Sequence, residues 1–185
     1  MSGSVSPRAC TALDHFVARA AKNALAPNAG CEMTQAASAV PRERKAVMIT
    51  VSSYLFRVLL FIQFDQNAGT VAHFAELEGI APGEMSEERF LDSVMERGNL
   101  YCGAFNRDLA EFFPHVGMST PCILDRSSLE HVSALQPAVT RHYVTDLGRD
   151  ATLHLTLALC AFSDLDFAYE PGAAEEESTG EMEMF

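Results

Sequence analysis

The sequence lacks the cysteine pattern of a disulfide framework or a zinc site. Its five cysteines are an odd number, and no two of them form a Cys-x-x-Cys pair. Its six histidines show neither the His-x-x-x-His nor the His-Glu-x-x-His spacing of a metal centre. A chain of 185 residues buries enough surface to fold without such cross-links. We therefore expect one globular domain with no metal of its own.

Basic residues and long apolar runs are also scarce. Lys and Arg total 13 against 25 Asp and Glu, and the resulting net charge of −12 repels nucleic acids and anionic membranes. The apolar run at residues 58–62 is far shorter than the roughly 20 residues of a membrane span. Residues 1–4 lack the basic and then apolar order of a secretory signal. We expect a cytoplasmic protein with reduced cysteines that binds neither nucleic acid nor membrane.

The composition changes at both ends of the chain. Residues 1–9 are small and polar, and residues 170–185 are acidic and of low complexity. We expect these segments to be flexible and the folded domain to cover residues 10–169.

The spacing of apolar residues predicts the elements of that domain. An amphipathic helix over about residues 13–25 ends at the Pro and Gly that follow it. Two strands, 45–51 and 55–64, are joined by a tight turn, and the second is so apolar that we expect it in the middle of the sheet. The remaining predicted elements are helices at 70–77 and 86–113 and strands at 120–124, 141–145 and 152–159, with a turn at 146–150. This order predicts an α+β domain with a largely antiparallel sheet.

The long helix carries the most informative pattern. Ser86 is a favourable N-cap, and Pro114 stops the helix. Gly98 lies in the middle of the apolar stripe that faces the core, which consists of Leu91, Val94, Met95, Cys102, Phe105, Leu109 and Phe112. A glycine costs roughly 1 kcal/mol of helix propensity relative to alanine, so we expect a close approach of the helix to the sheet there.

Four residues of the same helix face away from this stripe. Asp92, Glu96, Asn99 and Gly103 lie between about 100° and 160° from Gly98 around the helix axis. Glu96 and Asn99 are three residues apart and are therefore neighbours on the surface. A single Glu-x-x-Asn also occurs by chance, and polar residues on a solvated helix face are the simplest alternative.

The longer string resembles a known family. The four residues stand as Asp92-x-x-x-Glu96-x-x-Asn99-x-x-x-Gly103, and a Gly-x-Ser-x-Pro segment follows at residues 117–121. This resembles the CheC/CheX/FliY chemotaxis phosphatases, and the single copy of the motif is most similar to CheX. The resemblance spans about residues 10–165 and is specific only in the motif region.

The resemblance implies a CheC-like fold in which the N-terminal helix packs on the long helix, and it implies a function. Members of this family hydrolyse the aspartyl phosphate of CheY-type response regulators. By resemblance, Asn99 orients the attacking water and Glu96 pairs with the active-site lysine of the regulator, while Asp92 and Gly103 contact the partner. The partner carries the Mg²⁺, so this chain needs no cofactor of its own. Homodimers are typical of the family, and we expect one here.

The motif also departs from the family pattern. Arg97 and Gly98 stand between the Glu and the Asn, where family members usually have apolar or small residues. Arg97 falls at the edge of the core stripe, where it either perturbs docking or forms an ion pair. The alternative function is therefore a catalytically inactive module that docks a receiver domain or a flagellar switch component.

Overall fold

The structure is a computed structural model that describes residues 3–27, 33–36, 44–148 and 151–170. Within these residues the α-helices are α1 (Pro7–Leu25), α2 (Ala68–Glu78) and α3 (Glu87–Ala110). The strands are β1 (Met33–Ala36), β2 (Lys45–Ser52), β3 (Phe56–Phe64), β4 (Gly117–Met118), β5 (Cys122–Asp125), β6 (Val139–Gly148) and β7 (Ala151–Ala161). Two 3₁₀ helices cover Pro82–Glu84 and Arg126–Leu135.

These seven strands form one antiparallel sheet. Its order is β1-β6-β7-β3-β2-β4, and β5 also pairs with β2. The strand β3 lies between β7 and β2, so its predicted central position is confirmed. The prediction of an α+β domain with a largely antiparallel sheet is also confirmed.

The α-helices cover one face of the sheet. Alternate residues of β3, from Phe56 to Phe64, face this layer and are almost fully buried. Helix α1 packs along α3, as predicted, and the ring of Phe16 meets the ring of Phe105 edge to face. The main core therefore lies between the sheet and these two helices.

The predicted helix boundaries are largely confirmed. The Ser86 hydroxyl accepts a hydrogen bond from the Arg89 N–H at 3.2 Å and so starts α3. Gly79 ends α2 in the left-handed conformation, with a φ of 68°. Helix α3 stops at Ala110 rather than near residue 113; a turn follows, and the Phe113 ring then packs edge to face against the Phe56 ring.

The start of the domain lies earlier than predicted. Residues 1–9 were expected to be flexible, yet α1 begins at Pro7 and Val5 forms a bridge with Leu165. Arg8 forms an ion pair with Asp166. The hydrogen bond that Arg8 donates to this carboxylate lowers the pKa of Asp166 to about 2. The described part of the N-terminal segment is thus attached to the segment that follows β7. Residues 1–2 and most of the predicted acidic tail lie outside the described residues.

The later strands are longer than the pattern predicted, and part of the predicted turn between them lies outside the described residues. Strand β6 continues to Gly148 and β7 begins at Ala151, so residues 149–150 of the predicted turn lie outside the described residues. No helix of the described part is long and apolar enough to span a bilayer.

Candidate functional site

Helix α3 is held against the sheet at Gly98. A Cβ atom at this position would lie 3.0 Å from Val47 Cγ1 and 3.3 Å from Ile49 Cδ1. Both contacts are tighter than ordinary van der Waals packing. The predicted close approach at Gly98 is therefore confirmed, and it sets the distance between the helix axis and β2.

The side of α3 that faces α1 carries a partly buried ion pair. Asp108 is only 6% exposed, and its carboxylate accepts a hydrogen bond from Arg19 Nε at 3.0 Å. Arg19 also donates to the Tyr169 hydroxyl at 3.0 Å. This pair has no local signal in the sequence, because its two partners are 89 residues apart in the chain. Together with Gly98, it restrains the rotation of α3 about its own axis.

Arg97 points towards α2. Its Nη2 donates to the Leu77 carbonyl oxygen at 3.1 Å, in the last turn of that helix. The carboxyl of Glu78, the last residue of α2, accepts a hydrogen bond from Arg89, and this bond lowers the pKa of Glu78. The positive charge of Arg97 also lowers the pKa of Glu78. Arg97 is thus part of the contact between α2 and α3, in agreement with its predicted place at the edge of the buried stripe.

The opposite side of α3 is open. The side chains of Asp92, Glu96 and Asn99 are exposed. Gly103 is partly exposed, and a Cβ atom there would meet no described atom within 4 Å. We call these four residues the motif face. Their predicted orientation away from the core is confirmed, whereas their roles stay predictions.

One apolar side chain next to the motif face was missed. Leu100 is 47% exposed, directly follows Asn99 and lies one helical turn beyond Glu96. On the helical wheel Leu100 lies outside the apolar stripe. An apolar residue at such a position is expected to be exposed, so the sequence did contain a signal for it. The carboxylate of Glu96, the carboxamide of Asn99 and the apolar side chain of Leu100 are therefore neighbours on the surface of α3.

The chemistry available at the motif face is limited. The described residues contain no group of three or more His, Cys, Asp or Glu side chains able to hold a metal ion. Burial raises the pKa of the Cys102 thiol to about 12, which leaves it protonated and unreactive at neutral pH. The face offers hydrogen bonds and a negative charge, so it is suited to completing a reactive site that another molecule supplies.

The sequence matches no protein-family model and no curated protein. Solved structures nevertheless share its architecture. A CheC-like superfamily protein from Shewanella sp. PV-4 aligns with a TM-score of 0.59 at 13% identity, over 83% of this chain and 98% of its own. The chain has the CheC-like fold.

Two CheX structures support this assignment. A structure of the CheX-CheY-BeF3-Mg²⁺ complex from Borrelia burgdorferi aligns with a TM-score of 0.62 at 11% identity, over 81% of this chain and 96% of that chain. CheX from Desulfovibrio desulfuricans aligns with a TM-score of 0.59 at 12% identity, over 80% and 98%. The CheC-like fold was expected from the motif in α3, and these similarities confirm that expectation.

Proposed function

We propose that this protein is a phosphatase that hydrolyses the aspartyl phosphate of a CheY-type receiver domain. The observation that carries the proposal is the exposure of Glu96 and Asn99 on adjacent turns of a helix whose other side is fixed to the core. The CheC-like fold supports it, because a CheX of this fold has been solved with CheY, BeF3 and Mg²⁺.

The proposed reaction needs little from this chain. A phosphorylated receiver domain already holds the acyl phosphate and Mg²⁺, so hydrolysis lacks only a water in line with the leaving oxygen. The Asn99 carboxamide both donates and accepts hydrogen bonds, and therefore positions that water without changing its own protonation state. The water oxygen forms the new bond to phosphorus, and the bond to the aspartyl oxygen breaks.

Glu96 acts in docking. Its carboxylate pairs with the active-site lysine of the receiver in a charge-assisted hydrogen bond, which sets the register of the two proteins. Asp92 lies one turn earlier on the same side and contacts the rim of the receiver. Gly103 lacks a side chain and lets the receiver backbone approach α3 closely.

The anchoring of α3 is part of this mechanism. A misplacement of about 1 Å at a catalytic group lowers a rate by roughly 100-fold. The tight contacts of Gly98 and the Arg19–Asp108 ion pair hold α3 in one orientation about its axis. Asn99 therefore has the same position each time a receiver domain binds. Because Arg97 is bonded to α2, its positive charge is directed away from the motif face.

The experiment mixes the purified protein with a panel of receiver domains phosphorylated by a small phosphodonor in the presence of Mg²⁺. We expect accelerated loss of the acyl phosphate from at least one receiver. Asn99→Ala should lower the rate constant of the bound complex about 100-fold with little change in affinity. Glu96→Ala should weaken receiver binding about tenfold. Glu87→Ala, which removes an exposed carboxylate from the first turn of α3 on the side away from the motif face, is the matched control and should change neither constant.

Two outcomes would replace the proposal. Tight binding of a receiver with no acceleration would favour the catalytically inactive docking module. Acceleration that survives both Asn99→Ala and Glu96→Ala would place the reactive groups elsewhere. The proposed homodimer is tested separately by sedimentation of the full chain.

A further inference from the structure

A second site lies on the face of the sheet opposite to α3. The 3₁₀ helix Arg126–Leu135 crosses this face, and its Leu129 and Val132 pack against a small apolar cluster around Phe61. Beside this packing is a cavity of about 530 Å³ between the 3₁₀ helix and strands β6 and β7. Sites for small organic ligands have volumes of roughly 300 to 1,000 Å³. The cavity is thus large enough for one such molecule.

The walls of the cavity favour an uncharged ligand. Leu129, Val132 and Pro137 give it apolar sides. Its charged lining residues are Arg126 and Glu130, one of each sign. The lining therefore has no net charge, although the whole chain has a net charge of −12. An ionic ligand would find no excess of opposite charge here.

The floor of the cavity is polar and deeply buried. Thr156 lines it and is only 5% exposed, and Gln63, at 2%, donates from Nε2 to the Thr156 hydroxyl oxygen at 2.9 Å. The Nδ1 atom of His142, a third residue of this group, lies 3.0 Å from the same oxygen. These three side chains form a connected polar group between β3, β7 and β6.

The hydrogen bonds of this group determine which ring nitrogen of His142 carries the proton. Burial lowers the pKa of His142, so its ring is neutral at neutral pH. If the Thr156 hydroxyl donates to Nδ1 while accepting from Gln63, all three atoms at this junction are satisfied together. The proton of the ring is then on Nε2. His142 is one of the residues that line the cavity.

The polar group is not satisfied by the described residues alone. Gln63 Oε1 is buried and has no hydrogen-bond partner among them. Buried polar atoms of native proteins nearly always have a partner, and an exception calls for an explanation. Gln63 is not a lining residue of the cavity, so its oxygen is spare hydrogen-bonding capacity beside the cavity and not a direct ligand contact.

We propose that this cavity binds an uncharged, largely apolar small molecule that places a hydrogen-bond acceptor, such as a ring carbonyl, against His142. The apolar body of the ligand lies between the 3₁₀ helix and the sheet, against Leu129 and Val132. The site is separate from the motif face, because the sheet stands between them. It does not depend on the proposed phosphatase activity.

The test uses Nile red, an uncharged fused-ring dye with one ring carbonyl, whose fluorescence rises when it leaves water. We expect the full chain to bind it saturably with one site per chain. Ser133→Trp and Thr140→Trp, which place a bulky ring in the cavity from its two sides, should each weaken binding at least tenfold. His142→Phe keeps a ring and removes the N–H, and should weaken binding about fivefold.

The matched control addresses adhesion of the dye to exposed apolar side chains. Tyr54 and Phe162 are exposed and lie outside the cavity, so Tyr54→Ser and Phe162→Ser should leave the affinity unchanged. Thermal unfolding of every variant shows that the fold is retained. Binding that does not saturate, that survives both tryptophan substitutions in folded protein, or that is lost in the Tyr54 and Phe162 variants would overturn the proposal.

Discussion

Gly98 and Gly103 lie five residues apart in α3 and have opposite surroundings. A Cβ atom at Gly98 would press against Val47 and Ile49 of the sheet, whereas at Gly103 it would meet no described atom within 4 Å. The first glycine allows the helix to approach its own core. The second leaves space for another molecule. One helix thus uses the same residue type for internal packing on one side and for access on the other.

The difference separates stability from recognition. Contacts of the buried side hold α3 against the sheet and α1, whereas the side chains of Asp92, Glu96 and Asn99 are exposed, so we expect the motif face to contribute little to folding. Substitutions on the two sides should therefore affect different measurements, and each side supplies the control for the other.

The largest effect is expected from Gly98→Leu. Overpacking of a close helix–sheet contact costs typically 1 to 3 kcal/mol, and the 3.0 Å contact with Val47 favours the upper end, about 3 kcal/mol. Urea unfolding measures this loss. Gly103→Leu should leave the free energy of unfolding unchanged or raise it slightly, since it removes a helical glycine, while it blocks receiver binding. Equal stability losses in the two variants would contradict the comparison.

The next effect concerns two carboxylates of α3. Asp108→Ala leaves Arg19 without its ion-pair partner, and because that arginine is about one third exposed we expect a loss of about 2 kcal/mol. Glu96→Ala should change the free energy of unfolding by less than about 0.5 kcal/mol. Urea unfolding of both variants checks the difference. A large loss for Glu96→Ala would mean that this side chain supports the fold.

A smaller effect is expected at Leu100. An exposed leucine beside Glu96, the proposed docking carboxylate, gains by burial on binding, so Leu100→Asn should weaken receiver affinity about fivefold, or roughly 1 kcal/mol. Leu135→Asn is the matched control, because Leu135 is 49% exposed, close to the 47% of Leu100, and lies on the 3₁₀ helix of the opposite sheet face. Calorimetric titration with a receiver domain measures both. If the two variants bind equally well, Leu100 is not part of the interface.

The smallest effect is expected from Arg97→Ala. It removes one hydrogen bond to the Leu77 carbonyl and should lower the free energy of unfolding by about 0.5 kcal/mol. Receiver affinity should not change, since the guanidinium is directed to α2. A marked gain or loss of affinity would assign Arg97 to the docking side.

Much of this architecture follows from local patterns in the sequence. Ser86, Gly79 and the apolar stripe of α3 each act within a few residues, so their roles were predictable. The same holds for the tight turn between β2 and β3. Strand β4 has two residues, which is too few for a period to be recognised, and the four residues of β1 show no alternation of buried and exposed positions.

The features that were missed depend on distant parts of the chain. Arg19 and Asp108 meet only because α1 packs on α3, and His142 and Thr156 meet only because β6 pairs with β7. The attachment of residues 3–9 was missed for the same reason, since its partners follow β7. The small polar residues of this segment predicted flexibility. Its hydrogen-bond partner Asp164 is 160 residues away from Ser4, so no local pattern indicated the attachment.

The most direct test of the account is a single-turnover measurement with one receiver domain. Native protein and Asn99→Ala, each in excess and each with the same Tm, are mixed with the phosphorylated receiver and Mg²⁺, and the loss of the acyl phosphate is followed. We predict rapid loss with the native protein and, with Asn99→Ala, a rate close to that of the receiver alone. Equal rates with both proteins, well above that of the receiver alone, would contradict the central claim that Asn99 orients the attacking water.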